Sequence, residues 1–192
     1  MLEQAGVVAM QGDVLEHARA IQQAFGTAVD VTSIRSPEEL DDCDLVVLPG
    51  GESTTISRLI SEHDLDQALR AHVDARKPLL ATCAGLILVS KDADDDRITP
   101  LDVLDIQVDR NAYGSQRESF EAPIDVVGLD DAFPGVFIRA PRITNCGDVE
   151  VLATFQGEPV AVRDGSVVAA SFHPELTGDP RFHRRVLSIA NQ

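Results

Sequence analysis

Three short stretches hold residues whose types and spacing could do chemistry. In LLATCAGLILVS, residues 79–90, Cys83 stands between an apolar run and the small pair Ala84-Gly85. A strand ending at Thr82-Cys83, a tight turn and a helix-compatible continuation together make the setting of a nucleophile elbow. Small neighbours are needed because the backbone bends sharply at the nucleophile. The thiol would then sit at a helix N-terminus, where the macrodipole favours a thiolate and the N–H of Ala84 faces a developing oxyanion. The same pattern also suits an inert core thiol, since cysteine is among the most often buried side chains.

The second stretch is SFHPEL, residues 171–176, after the apolar run VVAAS. His173 and Glu175 lie two apart, and in extended backbone such residues point to the same side. Glu175 could therefore accept from one imidazole nitrogen while the other faces Cys83, ninety residues upstream. A thiol nucleophile needs that pairing of base and orienter. Taken alone, H-P-E is equally a surface turn with a solvated ion pair. The third stretch is LPGGEST, residues 48–54. Gly50-Gly51 lets the chain turn after a buried strand and aim N–H groups at an oxyanion or carboxylate. It also reads as a plain β–α turn. No G-K-[ST] follows, so a phosphate loop fits poorly. H-P-E lacks the spacing and partners of a zinc site, and neither metal nor cofactor is expected.

The elements that must position these residues follow from the apolar pattern. AGVVAM (5–10) reads as a strand, then a helix runs from Asp13 to Phe25, and AVDVTSI (28–34) is a second strand. DLVVLP (44–49) is apolar throughout, as a strand buried on both faces should be. A helix starts near Ser53, whose hydroxyl could cap it. Another helix covers Leu65–Ala75, and KPLLATC (77–83) is a further buried strand. This alternation predicts a parallel sheet with helices on both faces. The second half changes character. Strands are expected at 104–113, 119–127 and 135–141, followed by a strand and a β-hairpin over 150–176 that turns at Arg163-Asp164-Gly165. Residues 91–100, KDADDDRITP, form an acidic loop, and a helix closes the chain. No linker or repeat interrupts the pattern, so one domain is expected over 1–192.

Composition excludes several classes. The formal net charge is −16, from 32 acidic and 16 basic residues. Nucleic acid would want a basic face, so no nucleic-acid partner is expected. No apolar run approaches a membrane span, and the N-terminus lacks a basic n-region, so no membrane association and a cytoplasmic location are expected. Cys43, Cys83 and Cys146 are odd in number and widely spaced, which suggests reduced thiols rather than a disulfide framework. Only Lys77 and Lys91 are lysines, and Asp outnumbers Glu by 21 to 11. Such a balance suggests a salt-adapted protein, its self-repulsion screened by concentrated salt.

The segments GVVAMQGDVLEH (6–17), LPGGEST (48–54), TCAGLIL (82–88), RNAYGSQRESFE (110–121), FIRAP (137–141) and SFHPELTGD (171–179) carry a resemblance across nearly the whole chain. In this order they resemble the glutaminase subunits of pyridoxal 5′-phosphate synthase, which are class I (triad) glutamine amidotransferases. C-A-G and H-P-E mark the wider class; A-M-Q-G-D, R-N-A-Y-G and F-I-R-A-P mark this subunit. The resemblance implies a flavodoxin-like three-layer α/β/α fold with a mixed, mostly parallel sheet and an antiparallel extension. It implies Cys83 as nucleophile, His173 as general base and acid, and Glu175 as its orienter. Gly51, Glu52, Ser53, Arg110, Ile138 and Arg139 match the L-glutamine-binding positions, with the Gly51 and Ala84 amides as oxyanion donors. Gln11 lies where such proteins face the synthase subunit. The implied reaction hydrolyses glutamine to glutamate and passes ammonia to that subunit, in a complex of twelve synthase and twelve glutaminase subunits. The synthase would build pyridoxal 5′-phosphate from ribose 5-phosphate and glyceraldehyde 3-phosphate. A glutaminase serving another synthase, a stand-alone γ-glutamyl cysteine hydrolase and a non-enzymatic binding module remain as alternatives. Three features depart from the family pattern: Ala81 where glycine is common, Ser115 where arginine is common (with Arg117 close by), and the acidic loop 91–100.

Overall fold

A computed structural model describes residues 2–110 and 119–190. The parallel half alternates as expected. β1 (Gln4–Val8), α1 (Val14–Phe25), β2 (Asp30–Ile34), α2 (Pro37–Asp41) and β3 (Leu45–Leu48) come first. Then follow α3 (Ser53–Glu62), α4 (Leu65–Asp74), β4 (Leu79–Thr82) and α5 (Ala84–Val89). The second half holds β5 (Ser90–Asp92), β6 (Leu104–Asp109), β7 (Ser119–Val126), β8 (Phe133–Ile138) and β9 (Arg142–Cys146). It ends with β10 (Glu150–Phe155), β11 (Glu158–Asp164), β12 (Val167–Ala170), a 3₁₀ turn at Pro174–Leu176 and α6 (Arg181–Ala190).

Among the described residues, nine strands form one sheet in the order β2-β1-β3-β4-β12-β11-β10-β7-β8. The first five are mutually parallel, and the remaining pairings are antiparallel. The expected parallel sheet with an antiparallel extension is therefore present. A separate small sheet, β5-β6-β9, lies outside it. Every residue of β3, β4 and β12 is buried. The pleat then sorts them to two layers. Val46, Leu48, Leu79 and Ala81 pack with Ile56, Leu69 and Leu86 of α3, α4 and α5. Leu45, Val47 and Leu80 pack with Ile21, Phe172 and Phe182, which places α1 and α6 on the opposite face.

The structure departs from the sequence reading at several boundaries. α3 is capped by Glu52 rather than Ser53: the Glu52 carboxylate accepts from the N–H of Thr54 at 3.3 Å and of Thr55 at 2.8 Å. Ser53 is instead its first helical residue and is buried. The expected hairpin turns at Gly165-Ser166, one step later, and β10 pairs with β11 as a second hairpin across Gln156-Gly157. The short elements α2, β5 and β9 have no strong apolar periodicity and were not expected. The expected strand at 104–113 ends at Asp109 among the described residues; Ser115 and Arg117 lie outside them. Among the described residues, no helix is long and apolar enough to cross a membrane.

Candidate active site

β4 and β12 run side by side in parallel, with Thr82 opposite Ala170. Cys83 therefore leaves the sheet next to the segment that carries His173. At Cys83 the backbone takes φ 48°, ψ −103°, a conformation an L-residue adopts only under constraint. The constraint is visible: the Cys83 N–H donates to Ala170 O at 2.8 Å, and α5 starts at the next residue. Gly85 makes the bend possible, because a Cβ there would overlap the Leu48 carbonyl of the neighbouring strand. Ala81 is fully buried beneath this turn, 3.4 Å from where that Cβ would lie.

His173 caps the 3₁₀ turn that contains Glu175. The pair is thus brought together by a turn, not by the extended backbone that the i, i+2 spacing suggested. Its result is the expected one: His173 Nδ1 lies 2.7 Å from Glu175 Oε1, with both side chains buried. The His173 N–H donates to Val136 O of β8 at 2.8 Å, which ties this residue to the antiparallel half. Gly50 leaves room for the ring, since a Cβ there would lie 2.6 Å from His173 Cε1. Asp13 also reaches Nδ1, with Oδ2 at 3.3 Å. Nε2 has no well-aligned hydrogen bond among the described residues and is the nitrogen left for Cys83.

Burial by itself would lower the basicity of His173. The contacts with Asp13, Cys83 and Glu175 outweigh it and push the imidazole up to about 12. Burial raises the Glu175 carboxyl, and the hydrogen bond from His173 opposes that. An imidazolium flanked by carboxylates is the counter-ion a thiolate nucleophile needs. The potential ligand atoms of Asp13, His173 and Glu175 lie within 4.8 Å of one another. Their geometry is that of one ring nitrogen shared between two carboxylates, as the contacts above show.

A cavity of about 380 Å³ opens beside the elbow. Its lining contains Cys83, His173, Gly51, Glu52, Ser53, Ala84, Arg110, Ile138 and Arg139, so nine of the residues singled out in the sequence meet at one place. Ile138 presents its carbonyl 3.8 Å from Cys83 Sγ. Glu175 stands behind His173, outside the lining. Gln11 is also outside it: exposed, it accepts from the Glu52 N–H at 2.7 Å and so steadies the Gly51-Glu52 turn. Arg110 is held by Asp95 at 2.6 Å and lies 3.5 Å from Glu52. Sequence reasoning missed Asp13, His17, Thr82 and Asp95 as members of this neighbourhood. Asp13 and His17 lie in the segment that carries the resemblance, but nothing local shows that α1 packs against the far end of the chain.

A solved structure described as a glutamine amidotransferase matches 98% of this chain and 99% of its own length, with a TM-score of 0.90 and 43% identity. The fold is that of the class I glutamine amidotransferases, and the cavity lies at the end of the parallel strands where such a fold places ligands. The profile of the SNO glutamine amidotransferase family matches residues 7–190, and the chain belongs to that family. Two relatives are each named pyridoxal 5′-phosphate synthase subunit PdxT. That of Halobacterium salinarum is 61% identical over 183 residues, covering 93% of this chain and 90% of the relative. That of Haloarcula marismortui is 57% identical over 187 residues, covering 95% of each.

Proposed function

We propose that the chain is one glutaminase domain that hydrolyses L-glutamine and hands ammonia to a pyridoxal 5′-phosphate synthase subunit. The observation that carries this reading is the strained Cys83 elbow beside the His173–Glu175 pair at the mouth of a cavity, in a chain of this family. Cys83 thiolate attacks the side-chain carboxamide carbon. The amides of Gly51 and Ala84 hold the tetrahedral oxyanion, and losing one such donor raises a barrier by about 2.7–4 kcal/mol in comparable acyl transfer. His173 gives its proton to the departing ammonia, leaving a γ-glutamyl thioester. Water then attacks the thioester, His173 takes its proton, and glutamate leaves. Glu175 keeps the ring oriented throughout. Glu52, Ser53, Arg110, Ile138 and Arg139 surround the amino-acid end of glutamine, where a guanidinium suits the α-carboxylate.

Ammonia is useful only if it escapes protonation in bulk water, so the product must pass directly to a partner. The names of the relatives favour the vitamin B6 synthase over the synthases of other pathways. Gln11 and the neighbouring Leu15, 66% exposed, supply a face for docking. Twelve copies of each subunit, in the cytoplasm, complete the reading. The test is a glutamine-to-glutamate assay with and without the cognate synthase. We expect little turnover alone and full turnover in the complex. Full turnover alone would overturn the dependence on docking, and none in either would overturn the glutaminase. Cys83→Ala should abolish glutamine-dependent synthesis of pyridoxal 5′-phosphate and leave synthesis from added ammonia intact.

A further inference from the structure

His17 lies on α1, far from the triad in sequence, and is fully buried. Its Nε2 is 3.0 Å from Thr82 Oγ1 and 3.3 Å from Glu175 Oε2. Thr82 is the last residue of β4, directly before Cys83. Glu175 uses its other oxygen on His173, and Oε2 makes no hydrogen bond among the described residues, with His17 Nε2 its neighbour within ion-pair distance. One ring nitrogen therefore touches both the acid of the triad and the strand end that bears the thiol.

We propose that His17 is a positioning residue for the reaction. Its Nε2 hydrogen-bonds Thr82 Oγ1 and stands against Glu175 Oε2, holding the carboxylate in line with His173 and the elbow at a set distance from both. This inference rests on the glutaminase reading of the site.

The tautomer follows from the surroundings. Nδ1 of His17 has no hydrogen-bond partner among the described residues. A buried N–H without a partner is rarer in proteins than an unused acceptor, so the proton belongs on Nε2, where Thr82 Oγ1 can accept it beside the carboxylate. Burial, with His183 and His173 adding to it, keeps the ring neutral at ordinary pH. The titratable groups facing it are Glu175 and His173 from the segment after β12 and His183 from α6. The His183 ring meets it edge-on at 5.8 Å between centroids, closing the site from behind. A side chain that only filled this space would not need a nitrogen there.

The experiment uses the complex with the cognate synthase. His17→Leu should lower kcat for glutamine hydrolysis by about ten- to a hundredfold, since misplaced catalytic groups cost rates of that order, with KM nearly unchanged. His17→Gln places a carboxamide N–H near the lost Nε2–H and should restore most of kcat. Wild-type kcat in His17→Leu would overturn the proposal. So would equal loss of kcat in both variants. Ring ¹⁵N resonances of the wild-type chain, which need no variant to fold, should show His17 neutral and protonated at Nε2. The Nε2–H signal should move in Glu175→Gln. A proton on Nδ1, or a charged ring at neutral pH, would also overturn the proposal. A wild-type complex that fails to hydrolyse glutamine would instead overturn the glutaminase reading, and the ring tautomer would still be measurable.

Discussion

Glu52 sits at the cavity mouth and also caps α3. Its carboxylate accepts from the Thr54 and Thr55 hydroxyls at 2.6 and 2.7 Å and from both of their amides. The Thr54 hydroxyl is the main cause that holds it down to about 2, against an ordinary 4.5. Losing the cap in Glu52→Ala should cost about 1 kcal/mol of unfolding free energy at neutral pH. The folded-state value is depressed, so this contribution is present above about 4.5 and is lost as pH falls through about 2. Urea unfolding should show the gap between wild type and variant shrinking across that window; a constant gap would contradict the assignment. At this scale much of the site was legible. Cys83, His173 and Gly51 announced themselves by residue type next to apolar runs. Asp13 and His17 did not, because their meaning depends on a helix packing against residues more than 150 positions later.

At the scale of elements, the His173 segment is held in place by aromatic packing. Phe172, immediately before His173, lies 5.1 Å from Phe182 of α6, and Phe133 of β8 lies 5.9 Å from Phe172 and 5.7 Å from Phe182. All three rings are fully buried. Phe182→Ala should destabilise the fold by about 3–5 kcal/mol, read from urea midpoints. Phe182→Leu should cost clearly less, because more of the space stays filled. Equal losses would mean that ring shape rather than volume governs the cluster. β3 and β4 were readable because strands buried on both faces are apolar without interruption. β9 was not, since exposed Arg142, Thr144 and Asn145 hide its one buried residue, Ile143. The His173–Glu175 contact was foreseen for a different reason from the one that operates: Pro174 opens a 3₁₀ turn, and that turn brings the carboxylate under the ring.

At the scale of the whole molecule, charge is the dominant feature. A formal charge of −16 repels itself, and close pairs such as Arg58–Glu62 and Lys91–Asp105 are exposed. Exposed pairs of this kind are worth about 0–1 kcal/mol each, so weakening them with salt matters less than screening the excess. The screening length falls from about 10 Å at 0.1 M salt to about 3 Å at 1 M. The melting temperature should therefore rise from dilute buffer to molar KCl, as suits a chain whose relatives come from Halobacterium and Haloarcula. Equal melting in both would remove the case for salt adaptation. The sequence by itself determined the charge, the alternation of the main strands and helices in the first half, and the residue types able to form a thiol nucleophile with its base. Those depend on composition and on local periodicity, which a linear chain carries openly. Only the tertiary structure decided that β12 inserts beside β4, that Asp95 pairs with Arg110, and that α1 delivers Asp13 and His17 to the back of the His173–Glu175 pair. Those contacts join residues distant in the chain, and they exist only once burial of the apolar faces has brought the elements together.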